Sequence, residues 1–175
     1  MIGIDDELMF QPLNIAVLTM SDTRTEATDK SGDALVERIK AAGHSLAARE
    51  LVKDNVHAIT AKVKAWASDP KIQVILTTGG TGLTGRDVTV EAVTPLFEKT
   101  LDGFSVLFHH MSMKTIGLAT LQSRACAGLI DGTFVFCLPG STKAVTQSWD
   151  DIIREALDSR YRPTSLVDLI PRLKE

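Results

Sequence analysis

Residues 76–87 read "LTTGGTGLTGRD" and place four glycines, Gly79, Gly80, Gly82 and Gly85, within seven positions. Glycine loses more backbone entropy on folding than any other residue, so this density needs a reason. The chemistry it permits is anion binding. Without Cβ atoms, successive backbone N–H groups can converge on a phosphate, and a helix starting just beyond adds the positive end of its dipole. Thr78 and Thr81 add hydroxyl donors. The plainer alternative is a tight strand-to-helix turn that binds nothing. Two nucleotide patterns nearly fit. Gly80, Gly82 and Gly85 spell G-x-G-x-x-G, but a dinucleotide fingerprint follows the first strand of its unit and needs an acid at the end of the next strand. Here the loop follows the third strand-like run, and Asp102 lies in "TLDGF", which is no strand end. Gly80-x4-Gly85 also opens a Walker A pattern, yet Arg86-Asp87 stands where Lys-Ser/Thr is required, so a P-loop is excluded.

The elements that must position this loop alternate between strand-like and amphipathic runs. Residues 14–21 ("NIAVLTMS") and 72–78 ("IQVILTT") read as buried strands, 44–52 ("HSLAARELV") as a weaker strand toward an edge, and 133–139 ("TFVFCLP") as the last clear strand. A helix over 31–43 carries Leu35, Val36, Ile39 and Ala42 at helical spacing and stops at Gly43, a C-terminal cap. Another over 55–69 aligns Ile59, Val63 and Trp66 behind Asn55 as N-cap. A short helix follows the glycine loop at 89–99. Residues 141–161 read as a helix whose pairs Ala144/Val145, Ser148/Trp149, Ile152/Ile153 and Ala156/Leu157 recur every four residues. Residues 102–130 are less regular, with apolar positions suggesting two short helices, and 162–175 read as a partly extended arm. Strand–helix alternation predicts one α/β domain over 1–175, with its core at about 14–161 and a largely parallel sheet covered on both faces. Such sheets bind ligands beyond the carboxyl ends of their strands. The informative loops are therefore "SDTRTEATD", "VKDN", the glycine loop and "LPGSTK".

Bulk properties narrow the classes. The formal net charge is −3 over 175 residues, which gives no global field for gripping nucleic acid, so an anionic ligand must meet local donors. The only cysteines, Cys126 and Cys137, sit in apolar surroundings and read as buried free thiols of a reducing compartment. "MIGIDDELMFQ" lacks the features of a signal peptide, and no run approaches the roughly 18 apolar residues of a membrane span. A cytoplasmic protein is expected. His44, His57, His109 and His110 show no metal-ligand spacing. Phe104, Leu107, Phe108 and Met111 form an i, i+3, i+4, i+7 stripe of the kind usually found in a core.

Taken together, "SD" after the first strand, "DKSG" opening the first helix, "TTGGTG" with "RD" and "T-x-E-A", "SRACAG", and "LPGS-x-KA" occur in order across residues 14–157. This pattern resembles the molybdenum-cofactor-biosynthesis family that contains bacterial MoaB and Mog and the G domain of gephyrin. "TLQSRA", "LPGSTKA" and the tail "YRPTS" look closer to MoaB than to Mog. The resemblance implies a three-layer α/β/α molybdopterin-binding fold. It also implies that molybdopterin, a pterin with a dithiolene and a terminal phosphate, is substrate or ligand. Active members transfer AMP from Mg-ATP to that phosphate and release pyrophosphate.

By the same resemblance, Asp54 and Asp87 are the acids for Mg²⁺ and substrate positioning, Mg²⁺ being an oxygen-seeking ion. Turn-forming or helix-capping is their plainer role. Gly79, Gly80, Thr81 and Gly82, with Thr78, would cradle phosphate. Ser21 and Asp22, Glu91, Ser123, and Pro139, Gly140 and Ser141 complete the substrate-binding set. Arg86, Arg124 and Lys143 are the local cations that could offset substrate charge. Under ordinary readings, Glu91 favours a helix dipole and Ser141 is an N-cap. The family also implies a homo-oligomer, trimer or hexamer, which the 104–111 stripe could join, and contact with other proteins of the pathway. Adenylyl-transferring relatives read "P-R-D-x-T-P-E-A" where this chain has Gly85 and Val90, and "P-D-D" or "P-D-E" where it has Lys53-Asp54-Asn55. Two readings stay open: a Mg-ATP-dependent molybdopterin adenylyltransferase, and an oligomeric molybdopterin-binding protein or carrier without turnover.

Overall fold

The structure, a computed structural model, describes residues 2–175. In chain order it runs β1 (Gly3–Ile4), β2 (Asn14–Met20), α1 (Lys30–Ala41), β3 (Ser45–Val52), α2 (Val56–Ala67), β4 (Val74–Thr78) and α3 (Thr89–Val93). There follow β5 (Lys99–Thr100), α4 (Asp102–Ile116), β6 (Cys126–Ile130), β7 (Thr133–Leu138), α5 (Thr142–Ser148) and β8 (Tyr161–Arg162). The main sheet has the order β3-β2-β4-β7-β6-β5. Strands β3, β2, β4 and β7 are parallel, while β6 and β5 join antiparallel at one edge. The expected three-layer α/β architecture is present, with "HSLAARELV" on the edge.

Burial explains which strands are central. Every residue of β4 and β7 is buried, as in parallel strands covered on both faces. On one face Leu35 and Ile39 of α1, Phe104 and Phe108 of α4, and Val145 and Trp149 pack on Ile15, Val17, Leu76 and Phe136. On the other, Ile59, Val63 and Trp66 of α2 pack with Val93 on Leu18, Ile75 and Val135. Gly43, at φ +86°, ends the α1 segment, and the Asn55 side chain accepts the Ala58 N–H to cap α2, both as the spacing predicts.

Two segments depart from the sequence reading, and a third, which it left undescribed, takes a definite structure. Residues 102–130 hold one 15-residue helix, α4, then a 3₁₀ segment at Gly117–Gln122 and the strand β6, instead of two short helices. Apolar residues on the outer side of α4 (Val106, Leu107, Met113, Ile116, all exposed) blur its period. The strand is hidden by Gly128, which is small because the Phe97 ring lies on it: a Cβ there would be 2.5 Å from Phe97 Cγ. The signal for this hairpin was Asp131-Gly132, whose φ values of 49° and 76° fit the tight two-residue turn that joins β6 to β7. In the last helix, a π turn at Trp149–Ile153 follows α5. The buried residues Val145, Trp149, Ile153 and Leu157 repeat every four residues, which a 3.6-residue helix cannot hold on one face. The wider turn absorbs the drift. Finally, the N-terminal segment is structured. β1 pairs antiparallel with β8, the Gln11 N–H donates to Ser159 Oγ (2.8 Å), and the Leu13 N–H donates to His44 Nδ1 (3.1 Å).

Candidate functional site

Because β2, β3, β4 and β7 are parallel, their carboxyl ends share one edge of the sheet, and the loops after them meet there. The glycine loop carries the tightest constraints. Gly79 and Gly80 have φ of +103° and +66°, which L side chains rarely adopt. A Cβ on Gly79 would collide with the Met20 carbonyl oxygen, and one on Gly80 with Thr89 Oγ1. Gly82 has no such backbone, but a Cβ there would lie 2.7 Å from Asp87 Oδ2. Gly85 has open space around it, so nothing in the fold demands that glycine. Close approach therefore explains three of the four glycines.

The loop is held from several sides. The Gly79 N–H donates to Leu138 O (3.0 Å), Thr89 Oγ1–H donates to Gly79 O (2.8 Å), and the Thr89 N–H donates to Gly80 O (3.0 Å). Thr78 Oγ1–H donates to Pro139 O (2.8 Å), so this hydroxyl ties two loops together and is not the free anion donor the sequence suggested. Arg124 departs from expectation in the same way. Its backbone N–H donates to Thr81 O, its Nε–H to Gly82 O (2.9 Å), and one Nη–H to Asp87 O (3.0 Å), while the guanidinium pairs with Glu91. This cation braces the loop against α3. The pairing with Glu91 raises the guanidinium pKa and lowers that of the carboxyl.

The acids differ in state. Asp87 accepts from the Thr84 N–H (2.9 Å) and Thr84 Oγ1–H (2.6 Å). Although burial acts the other way, these and a Gly82 N–H hold the Asp87 carboxyl below its ordinary value. Asp54 is half-buried; burial, with the Asp22 and Asp87 charges nearby, pushes its carboxyl up, and the Asp22 backbone N–H and the Arg86 charge only partly offset this. The Asp54 N–H donates to Asp22 Oδ1 at 3.3 Å. Among the described residues, no three His, Cys, Asp or Glu side chains are grouped to hold a metal ion. Mg²⁺ needs few protein carboxylates when it arrives on a polyphosphate, and Asp54, with a backbone donor in Asp22 and none from a side chain, keeps lone pairs that could receive it.

A cavity of about 320 Å³ opens at this edge, lined by Gly80, Thr81, Gly82, Asp87, Ser123, Pro139 and Gly140, together with Ala119 and Gln122. Seven predicted positions thus share one concavity. Gly79 and Arg86 lie in the glycine loop, whereas Ser21 and Asp22 follow β2 and Asp54 follows β3, at the same edge of the sheet but outside the cavity lining. Glu91 stands in the first turn of α3. Ser141 Oγ accepts the Ala144 N–H (3.2 Å) as the N-cap of α5, its ordinary role, and Lys143 is exposed in the first turn of that helix. The sequence reading missed Ala119, Gln122 and Thr89, and also Arg24, Asp29 and Ser31, although "DKSG" contains two of these. A larger groove of about 710 Å³ lies between α4 and the last helix, lined by Leu107, Lys114, Ile152 and Tyr161 among others. It sits off the carboxyl ends of the parallel strands, so the smaller cavity, built from the loops at those ends, is the better candidate.

Cys126 and Cys137 are both free, the first half-buried and the second buried, directly opposed across β6 and β7. No helix among the described residues is long and apolar enough to cross a membrane.

With this geometry in place, the comparisons with known proteins become specific. A family model described as "Probable molybdopterin binding domain" matches residues 4–159. Molybdenum cofactor biosynthesis protein B of Escherichia coli (strain K12) is 46% identical over 154 residues, covering 88% of this chain and 91% of that protein. The crystal structure of a molybdenum cofactor biosynthesis protein B aligns with a TM-score of 0.84 at 39% identity, over 94% of this chain and 97% of that one. The tungsten cofactor synthesizing protein MoaB from Pyrococcus furiosus aligns at a TM-score of 0.74 and 34% identity, over 83% and 92% of the two chains.

Proposed function

This chain belongs to the molybdopterin-binding-domain family, and from that premise we propose that it works in molybdenum cofactor biosynthesis, binding molybdopterin at the strand-end cavity and transferring AMP to it from Mg-ATP. In that reaction a terminal phosphate oxygen of molybdopterin attacks the α-phosphorus of ATP. The bond to the β-phosphate oxygen breaks, and pyrophosphate leaves. Two anions must approach each other, so the protein has to disperse charge without crowding them. The Gly79–Gly80 backbone, with Cβ atoms excluded on one side and the cavity on the other, suits close approach of a phosphate. Mg²⁺ would enter with the nucleotide and be held by Asp54, with Asp22 and Asp87 nearby, and would neutralise phosphate charge. Asp87 also shapes the loop, through Thr84, so that the cavity stays open.

The single observation that carries this reading is the pairing of a backbone-built cradle with a carboxylate, Asp54, whose charge burial and neighbouring acids disfavour, at the same strand ends. One observation favours the alternative of molybdopterin binding without turnover: the Asp87 carboxylate is already engaged by Thr84. Purified protein with molybdopterin and Mg-ATP should release pyrophosphate, and no release with intact molybdopterin binding would leave the carrier reading standing. We also propose that the protein is a homo-oligomer that meets other proteins of the pathway.

A further inference from the structure

Arg24 lies outside every predicted site position, yet its side chain ties the start of α1 to one of the loops that line the cavity. One Nη–H donates to Ser31 Oγ (2.7 Å) in the first turn of α1, and the other Nη–H donates to Gly140 O (3.0 Å), 116 residues away. Its backbone N–H donates to Ser21 Oγ (3.0 Å), so main chain and side chain are both fixed. Behind it stands Asp29, only 1% exposed, with its carboxylate 3.8 Å from the guanidinium. Asp29 cannot swing away: it accepts from Thr19 Oγ1–H (2.7 Å), the Gly32 N–H (3.0 Å) and an Arg49 Nη–H (3.2 Å). The far end of the bridge, Gly140, presses on the glycine loop, where a Cβ would sit 3.3 Å from Gly79 Cα.

We infer that Arg24 is a positioning residue for the cavity: by holding the Gly140 carbonyl, it sets the orientation of the wall that faces the glycine cradle. The inference rests on the functional reading above. A trans peptide is planar, so an oxygen turned toward Arg24 forces the N–H of the same peptide, that of Ser141, to point the other way. Without the guanidinium this peptide is free to rotate. A carbonyl oxygen turned into the cavity would repel a phosphate there, whereas in the native arrangement that oxygen is masked by a cation. Electrostatic preorganisation of this kind acts through donors and acceptors that do not themselves react.

The test compares wild type, Arg24→Ala and Ser31→Ala, the last removing one anchor of the guanidinium without touching the cavity. Two readouts are taken: molybdopterin affinity by equilibrium titration, and amide hydrogen exchange over the whole chain. Arg24→Ala should weaken molybdopterin binding on the order of tenfold, the size of one charge-assisted hydrogen bond. Ser31→Ala should weaken it less. Exchange should rise in the segment 139–144 with the sheet unchanged, and millimolar guanidinium ion should restore part of the lost affinity. Arg24→Ala that binds like a wild type with measurable affinity overturns the inference and spares the functional reading. So does a loss accompanied by faster exchange throughout the sheet and no rescue, since the role is then only structural. A wild type with no affinity for molybdopterin overturns the functional reading, and this inference with it.

Discussion

At the residue scale, the two acids that the sequence treats alike are physically opposite, and the difference is measurable without any ligand. The folded state pushes the Asp54 carboxyl above its ordinary value, through burial and neighbouring acids. Such a group holds its proton more tightly when folded. Its contribution is therefore present below the unfolded pKa, about 3.9, and is lost as pH rises through the higher folded value. Asp87 is the reverse: its folded pKa is lowered, so its contribution is present above about 3.9 and lost as pH falls through the folded value. At pH 7, Asp54→Asn should leave the protein as stable as wild type or more so. Asp87→Asn gives up an ionised acceptor for Thr84 and should cost about 0.5–1.5 kcal/mol, a few degrees in Tm for a chain of this size. Both differences should shrink as the pH is lowered toward 3. Thermal melts of the three proteins at several pH values check this, and equal destabilisation by the two variants at pH 7 would contradict it. The sequence could place both acids after strands. It could not reveal the opposite shifts of their carboxyls, because these depend on Thr84, Asp22 and Arg86 arriving in particular orientations.

At the element scale, the glycine loop separates constraints that sequence alone lumps together. Gly80 needs its positive φ and the space occupied by Thr89 and Asp54, whereas Gly85 needs neither. Gly80→Val should disrupt the cradle and lower affinity for both ATP and molybdopterin, leaving the distant helices folded. Gly85→Ala should be neutral or stabilise by about 0.4–1 kcal/mol, since it restricts the unfolded chain without meeting a clash. Titration of both ligands, with circular dichroism as the folding control, distinguishes these outcomes. Equal binding by Gly80→Val and wild type would rule out a backbone-built cradle. The regular elements were legible because burial shaped their sequences: α1 and α2 carry an apolar face of helical repeat, and β2, β4 and β7, covered on both faces, read as short continuous apolar runs. What escaped was set by tertiary contacts. β6 is marked by Gly128 because Phe97 covers it, and Arg124 looked like a free cation because its three carbonyl partners lie 37 or more residues away.

At the scale of the whole molecule, the α4 stripe divides in a way that bears on assembly. Phe104, Phe108 and Met111 are buried in this chain's own core, so they cannot join subunits, but Leu107 from the same stripe is 54% exposed. It belongs to a different set. Val106, Met113 and Ile116 of α4, with Leu118 and Leu121 of the following 3₁₀ segment, are all about half exposed or more, Leu118 and Leu121 by 70% and 71%. Scattered apolar residues on a surface need no explanation, but six within sixteen positions of one segment concentrate apolar surface in water. Covering them with a second copy would remove that cost, and each fully buried leucine would contribute about 1.5–3 kcal/mol. The same segment lines the candidate cavity through Ala119 and Gln122, so an interface there would also steady the cavity wall. Light scattering of the purified protein at micromolar concentration should therefore give a mass of several chains. Leu118→Glu with Leu121→Glu should shift it toward the 19.0 kDa of a single chain, since the charges would be desolvated at the interface while both positions stay solvated in the monomer. A wild type already at the single-chain mass would remove the oligomer. A double variant that stays assembled would move the interface elsewhere, leaving the groove between α4 and the last helix as the next surface to mutate.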